Sequence, residues 1–300
     1  MNRRYEITDD EWERLRSLLP PMPPKRGGRW RDHRQVLNGI LFRVRSGIPW
    51  RDLPERYGPW ETVYKRFARW SKTGPGPGSR LRCALRPMVL VSWTGMPRST
   101  RPSCVPISMP PAPAKGARPG PRSAPARARP VTRRTDTKLH TICDGRGRNL
   151  ATRVTPGQDG DTGELIGLVD QVRVARPSGR GRPRKRLGHL TGDKAYSSRA
   201  NRVALRARRI PYTIPERADQ QAGRARRGSR GGRPPGFDRD RYRQRNQVER
   251  LMNRRKQFRA VATRFDKLAV RYQATVTVAG SFIWLRAKPD RSRGDPGNTP

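Results

Sequence analysis

Between Pro75 and Asp136 the hydrophobic periodicity that a folded core requires disappears. Proline, arginine, serine and alanine dominate, and no helix or strand of useful length can be drawn through them. A chain of 300 residues is long enough for one large or two medium domains. The break therefore confines expected order to residues 1–74 and 137–288, with a disordered tail over 289–300. Residues 75–136 themselves read as a disordered basic segment.

The first part is helical. Residues 5–19 predict a helix, with Thr8 as N-cap, Glu11 three residues on, and Trp12, Leu15, Leu18 and Leu19 as the apolar face. A second helix spans about 34–46 on Val36, Leu37, Ile40, Leu41 and Val44, and Gly47 and Pro49 stop it. A short turn over 50–58 leads to a basic helix over 59–70 with apolar spacing at Trp60, Val63, Phe67 and Trp70. Helix, tight turn and basic helix form a helix-turn-helix pattern, with Lys65, Arg66 and Arg69 expected on the outward, DNA-facing side. The plain alternative is a small helical bundle with a solvated basic face. Trp30, Trp50, Trp60 and Trp70 are expected to anchor the core.

Order returns at Thr137. Lys138–Cys143 and Leu150–Thr155 alternate as two strands joined by the turn Asp144-Gly-Arg-Gly147. A helix over 163–172, a short strand over 187–193, a helix over 198–209 and a strand over 210–214 follow. Arg180 and Arg182 lie in a Gly/Arg/Pro loop suited to a narrow minor groove. Arg230 and Arg233 lie in a second Gly/Arg insert, over 224–235, that can clamp DNA or simply be flexible. Leu268–Leu285 contains Arg271 and Gln273 and reads as a buried helix, not a membrane span.

Charge narrows the function. Lysine and arginine total 68 against 24 acids, a net +44, which disfavours a small-molecule enzyme and favours a polyanionic partner, double-stranded DNA above all. No apolar run follows Met1, so no secretory signal is expected. Cys83, Cys104 and Cys143 have no zinc spacing, and His33, His140 and His189 lie too far apart for a metal set. A reduced cytoplasm is expected, with nucleoid association when DNA is bound.

The stretch from Tyr242 to Lys256 carries the chemistry. As one helix it would set Tyr242, Arg245, Glu249 and Lys256 on one face. A carboxylate flanked by two cations and a phenol suits a metal-and-phosphate site. A solvated basic helix is the bland reading. Together with Gly192-Asp193-Lys194-Ala195-Tyr196 at a strand end, this stripe resembles the DDE transposases of bacterial insertion sequences, in the group named for its Tyr-Arg-Glu-Lys signature. The opening region, with Leu53-Pro54 and Phe67-Ala-Arg-Trp70, is similar to that group's DNA-binding region.

The resemblance covers roughly 1–74 and 137–288. It implies an RNase H-like mixed α/β domain in which two Asp and one Glu hold two Mg²⁺ ions for in-line attack on a phosphodiester. Asp193 would be the second acid and Glu249 the third, both metal ligands, with Tyr242, Arg245 and Lys256 beside them. Members of the group usually work on two DNA ends as dimers or larger assemblies.

The first acid is missing. Its expected place holds Ser92 to Pro111, and Asp136, Asp144, Asp159 and Asp161 have no comparable strand-end position. Read one nucleotide earlier, the codons of this run permit LDWDASVDSTVVRAHQHAAGA; the Trp93/Thr94 junction forces Asp and the Met96/Pro97 junction forces Ala. The lost aspartate would then straddle the codons of Ser99 and Thr100. Residues 129–136, read one nucleotide later, permit GRSRGGLT. The expectation is a domain lacking a proper first strand, out of frame over about 75–136, and catalytically silent. A DNA-binding protein without chemistry and a basic RNA-binding protein are the alternatives.

Overall fold

A computed structural model describes residues 5–16, 19, 31–72, 103–109, 137–174 and 182–287; for 103–109 the backbone alone is described. The first part holds helices α1 (Asp9–Arg16), α2 (His33–Ser46) and α3 (Trp60–Lys72), with two short 3-10 turns at Trp50–Asp52 and Glu55–Tyr57. The Thr8 cap forms as a reciprocal box. The Thr8 backbone amide donates to Glu11 Oε2 (3.0 Å) and the Glu11 amide to Thr8 Oγ1 (3.2 Å). Asp32 caps α2 by accepting from the Gln35 amide, and Gly47 ends it in the left-handed region (φ 73°). A side chain at position 47 would be strained, and its Cβ would sit 2.8 Å from Arg259 Cβ.

The second part is a five-stranded sheet of β1 (Ser103–Met109), β2 (Thr137–Cys143), β3 (Asn149–Pro156), β4 (His189–Thr191) and β5 (Tyr212–Thr213). Its order is β3-β2-β1-β4-β5. β1 runs antiparallel to β2 and parallel to β4; β2–β3 is an antiparallel hairpin, and β4–β5 is parallel. Helices α4 (Glu164–Gln171) and α5 (Arg199–Ala207) lie between these strands. Then follow α6 (Ala218–Arg226), α7 (Arg239–Arg243), α8 (Asn246–Lys256), α9 (Arg259–Thr263) and α10 (Ala269–Leu285).

The expected absence of a first strand is corrected here. β1 lies in the middle of the sheet, inside the stretch that shows no usable periodicity. Valine, isoleucine and methionine alternate at 105, 107 and 109, and the slot between β2 and β4 offers ladder partners on both sides. Tertiary pairing thus overrides a weak local pattern interrupted by Pro106, which lacks a donor. Ser99 and Thr100 lie outside the described residues, as do Arg180, residues 110–136 and the tail.

Both faces of the sheet are covered. On β2, Leu139 and Cys143 join one core and Ile142 the other, as strand alternation requires. Leu165, Leu168 and Leu205 of α4 and α5 fill the second core. The first runs without interruption from Ile40, Val63 and Phe67 of the N-terminal helices to Leu251 of α8 and Phe282 of α10. Helix α10 is buried nearly all round because it is the spine between the sheet and the N-terminal helices. No helix among the described residues is long and apolar enough to cross a membrane.

Buried polar groups on β2 and β4 set a pH limit. His140 shares hydrogen bonds with the Tyr196 hydroxyl (2.8 Å) and Thr155 Oγ1 (2.9 Å), and His189 pairs with Thr213 Oγ1 (3.0 Å). Burial holds both imidazoles below the ordinary 6.5, with the Arg241 cation adding to the effect on His189. The unfolded chain takes up protons that the fold refuses. Their contribution to stability is therefore present above pH 6.5 and lost as pH falls through the folded values. Urea melts between about pH 7 and pH 5 are expected to lose up to about 1.4 kcal/mol per unit per histidine, and His140→Gln to flatten the slope. An unchanged slope in that variant would discount His140.

Candidate active site

Asp193 leaves the end of β4 and caps the 3-10 turn Lys194–Tyr196, its Oδ1 accepting from the Lys194 amide at 2.6 Å. That bond fixes one carboxylate oxygen and leaves Oδ2 toward α8. There Arg245 takes both acids: its Nη2 lies 2.8 Å from Glu249 Oε1 and its Nη1 3.9 Å from Asp193 Oδ2. The two carboxylates singled out in the sequence, 56 positions apart, thus meet at one guanidinium.

The stretch 242–256 is not one helix. It divides into α7 and α8, and the junction runs on i→i−3 bonds, from Arg245 N to Tyr242 O (3.0 Å) and from Val248 N to Arg245 O (3.1 Å). Residues three apart eclipse in such a turn, so Arg245 lies over the Tyr242 ring, 5.6 Å from its centre. Burial raises the Tyr242 phenol above its ordinary range; Arg245 opposes the shift, and the facing Asp193 and Glu249 add to it. Lys256 is exposed at the far end of α8, about 10 Å along the axis from Glu249.

A two-Mg²⁺ centre does not fit the groups present. A hard cation asks for several oxygen ligands in near-octahedral order. Here a cation of the chain's own stands between the two acids. No residue of β1 is acidic. Among the described residues no three His, Cys, Asp or Glu are placed to share an ion. Asp144 is a turn residue, buried and paired with Arg148 at 2.6 Å, and Asp161 pairs with Lys138 at 2.9 Å.

On α3, Lys65 and Arg69 are exposed. Arg66 corrects the expectation for this helix. It is buried, donates to His33 Nδ1 (3.0 Å) and lies over the Trp70 ring. Burial, helped by Arg69, lowers its guanidinium below the ordinary range. Position 66 falls between Val63 and Trp70 on the inner face, where the long stem reaches an internal acceptor. Arg182, Arg230 and Arg233 are exposed. Helix α6 runs into the insert over 224–235, which continues in a 3-10 turn at Gly228–Gly231, and the exchange of hydrogen bonds between Gln220 of α6 and Ser197 (2.7 and 2.8 Å) ties that helix to the Asp193 turn.

Sequence reasoning overlooks Gln220, and it overlooks Phe237, which is half exposed and packs on Tyr242 with ring centres 5.2 Å apart. Neither lies in a motif or an apolar period, and their partners are distant or across a turn.

Residues 7–75 match the family described as "Putative transposase of IS4/5 family (DUF4096)", and residues 106–284 match "Transposase DDE domain". The "Putative transposase for insertion sequence element IS6501" of Brucella ovis is 27% identical over 150 residues, covering 50% of this chain and 98% of that protein. The "Uncharacterized protein y4sN" of Sinorhizobium fredii is 40% identical over 68 residues, covering 23% of this chain and 54% of that one. The "Insertion element IS402 uncharacterized 16.2 kDa protein" of Burkholderia cepacia is 39% identical over 75 residues, covering 23% and 51%. The chain thus spans about half the length of the last two. No solved structure matches.

Proposed function

The chain belongs to the transposase DDE domain family, and on that premise we propose that it is the transposase of a bacterial insertion sequence, of the Tyr-Arg-Glu-Lys group. The observation that carries this reading is the meeting of Asp193 and Glu249 at Arg245, from elements far apart in the chain. Asp193 and Glu249 are the second and third acids. Tyr242, Arg245 and Lys256 serve DNA phosphates beside them, and α3 presents Lys65 and Arg69 to duplex DNA. The family generally uses divalent metal ions. This copy lacks the first acid because about 75–136 is translated out of frame, so it binds DNA and does not cut it. Binding without chemistry is therefore its present activity, on element ends that a dimer would hold together.

Binding of a labelled mixed-sequence duplex, followed by anisotropy across a salt series, tests this. We expect steep weakening with salt, a slope lowered by roughly two in the Lys65→Ala, Arg69→Ala double variant, and no change in Asp193→Asn or Glu249→Gln. A double variant with an unaltered slope would remove α3 from the DNA-facing surface. Cutting of DNA by the unaltered chain would remove the claim that it is silent.

A further inference from the structure

Among the described residues the two large apolar side chains most open to solvent, Phe265 (66% exposed) and Leu268 (60%), lie in the loop from α9 into α10, and Val270 (42%) follows in the first turn of α10. Apolar surface of this kind is costly in water unless something covers it. The loop is nevertheless firmly held. Asp266, between Phe265 and Leu268, is buried and accepts from Arg43 Nη1 and Nη2 (3.3 and 3.1 Å) and from Thr275 Oγ1 (2.7 Å). Arg43 in turn lies over the Trp50 ring. Arg264 takes a left-handed conformation (φ 45°), and its guanidinium lies 5.3 Å over Tyr272. The polar residues anchor the loop inward, and Phe265 and Leu268 are left as an exposed knuckle.

Its surroundings point to an occupant. Arg271, the residue after Val270, donates to the Ala68 carbonyl and to Ser71 Oγ of α3 and lies 5.8 Å from the Tyr64 ring. The knuckle therefore adjoins the helix that exposes Lys65 and Arg69. Arg259, Arg264 and Lys267 flank it, and the single acid between 259 and 271, Asp266, is met by Arg43. An apolar tip rimmed by cations matches side chains that enter a base stack while the rim holds phosphates. A second copy seated on this face would meet Arg259, Arg264 and Lys267 with a chain whose net charge is +44, which opposes contact here even where DNA holds two copies together.

We propose that Phe265 and Leu268 form an apolar wedge that enters the base stack of duplex DNA lying along α3 and bends it there. The proposal rests on the reading of α3 as a DNA-facing helix.

The test uses the full chain in chelator, with a mixed-sequence duplex carrying a donor and an acceptor dye at its ends. The unaltered chain is expected to bind and to shorten the end-to-end distance. Phe265→Ala with Leu268→Ala is expected to bind about tenfold more weakly, with the same salt slope and a straight duplex. Phe265→Trp is expected to keep the bend. Both positions are exposed, and the variants are expected to fold with a thermal melt like that of the unaltered chain. An unaltered chain that fails to bind overturns the wedge together with the DNA-facing reading. A double variant that binds and bends as before overturns the wedge alone. So does sedimentation showing a dimer that the double variant dissociates while the bend persists, since the knuckle then joins two copies.

Discussion

Replacing residues 92–113 with the stretch that their codons permit one nucleotide earlier is expected to turn this chain, proposed above to be silent, into one that cuts DNA. The expected gain in Mg²⁺-dependent strand cleavage, on duplexes carrying the DNA that borders the gene, is on the order of a thousandfold or more. The reason is electrostatic. Two carboxylates bound by Arg245 leave a hard cation short of ligands, and a third acid supplies both the missing oxygen and the negative charge that competes with the guanidinium. Metal stabilisation of a developing phosphoryl charge amounts to several kcal/mol, and each 1.4 kcal/mol is about tenfold in rate. Glu249→Gln in the restored chain is expected to abolish the gain. A restored chain that folds and binds DNA but stays silent would show that the missing acid is not the defect.

The parts that declared themselves in the sequence are those whose cause is local. The Thr8 and Glu11 box needs only residues three apart. The 137–156 hairpin follows from alternation around Asp144-Gly-Arg-Gly147, and Gly147 takes the positive φ (71°) that the turn needs. The burial of α10 follows from apolar and small residues on all its faces, with Arg271 and Gln273 the strongly polar exceptions. Asp193 and Glu249 stood out as candidates because their flanking residues resemble recognisable motifs.

What was hidden depends on partners distant in sequence. β1 forms because two neighbouring strands complete it. Arg66 turns inward because His33, on another helix, offers an acceptor; in a chain with 68 basic residues, nothing local distinguishes it from Lys65 or Arg69. The Arg245 bridge was only half visible. Its i,i+4 spacing to Glu249 is written in the sequence, whereas its approach to Asp193 depends on where β4 ends.

Asp266→Ala is expected to be the most destabilising single change to the fold, by about 3–5 kcal/mol. Arg43 and Asp266 are both buried, at 4% and 7% side-chain exposure, and their pair links α2 to the segment entering α10. Removing the acid leaves a guanidinium inside the core with no opposite charge, and takes an acceptor from Thr275. Breaking one side of such a pair costs far more than removing both, so adding Arg43→Met to Asp266→Ala is expected to recover most of the loss. Urea melts of the two single variants and the double give the coupling directly. Because one core runs from α2 and α3 through α8 and α10, the signals of the N-terminal helices and the sheet are expected to shift together. A loss below about 1 kcal/mol would mean that water reaches the pair and that it behaves as a surface ion pair. The same substitution releases the anchor beneath Phe265, so its effect on DNA bending, measured where the variant is still folded, reports whether the wedge needs a rigid base.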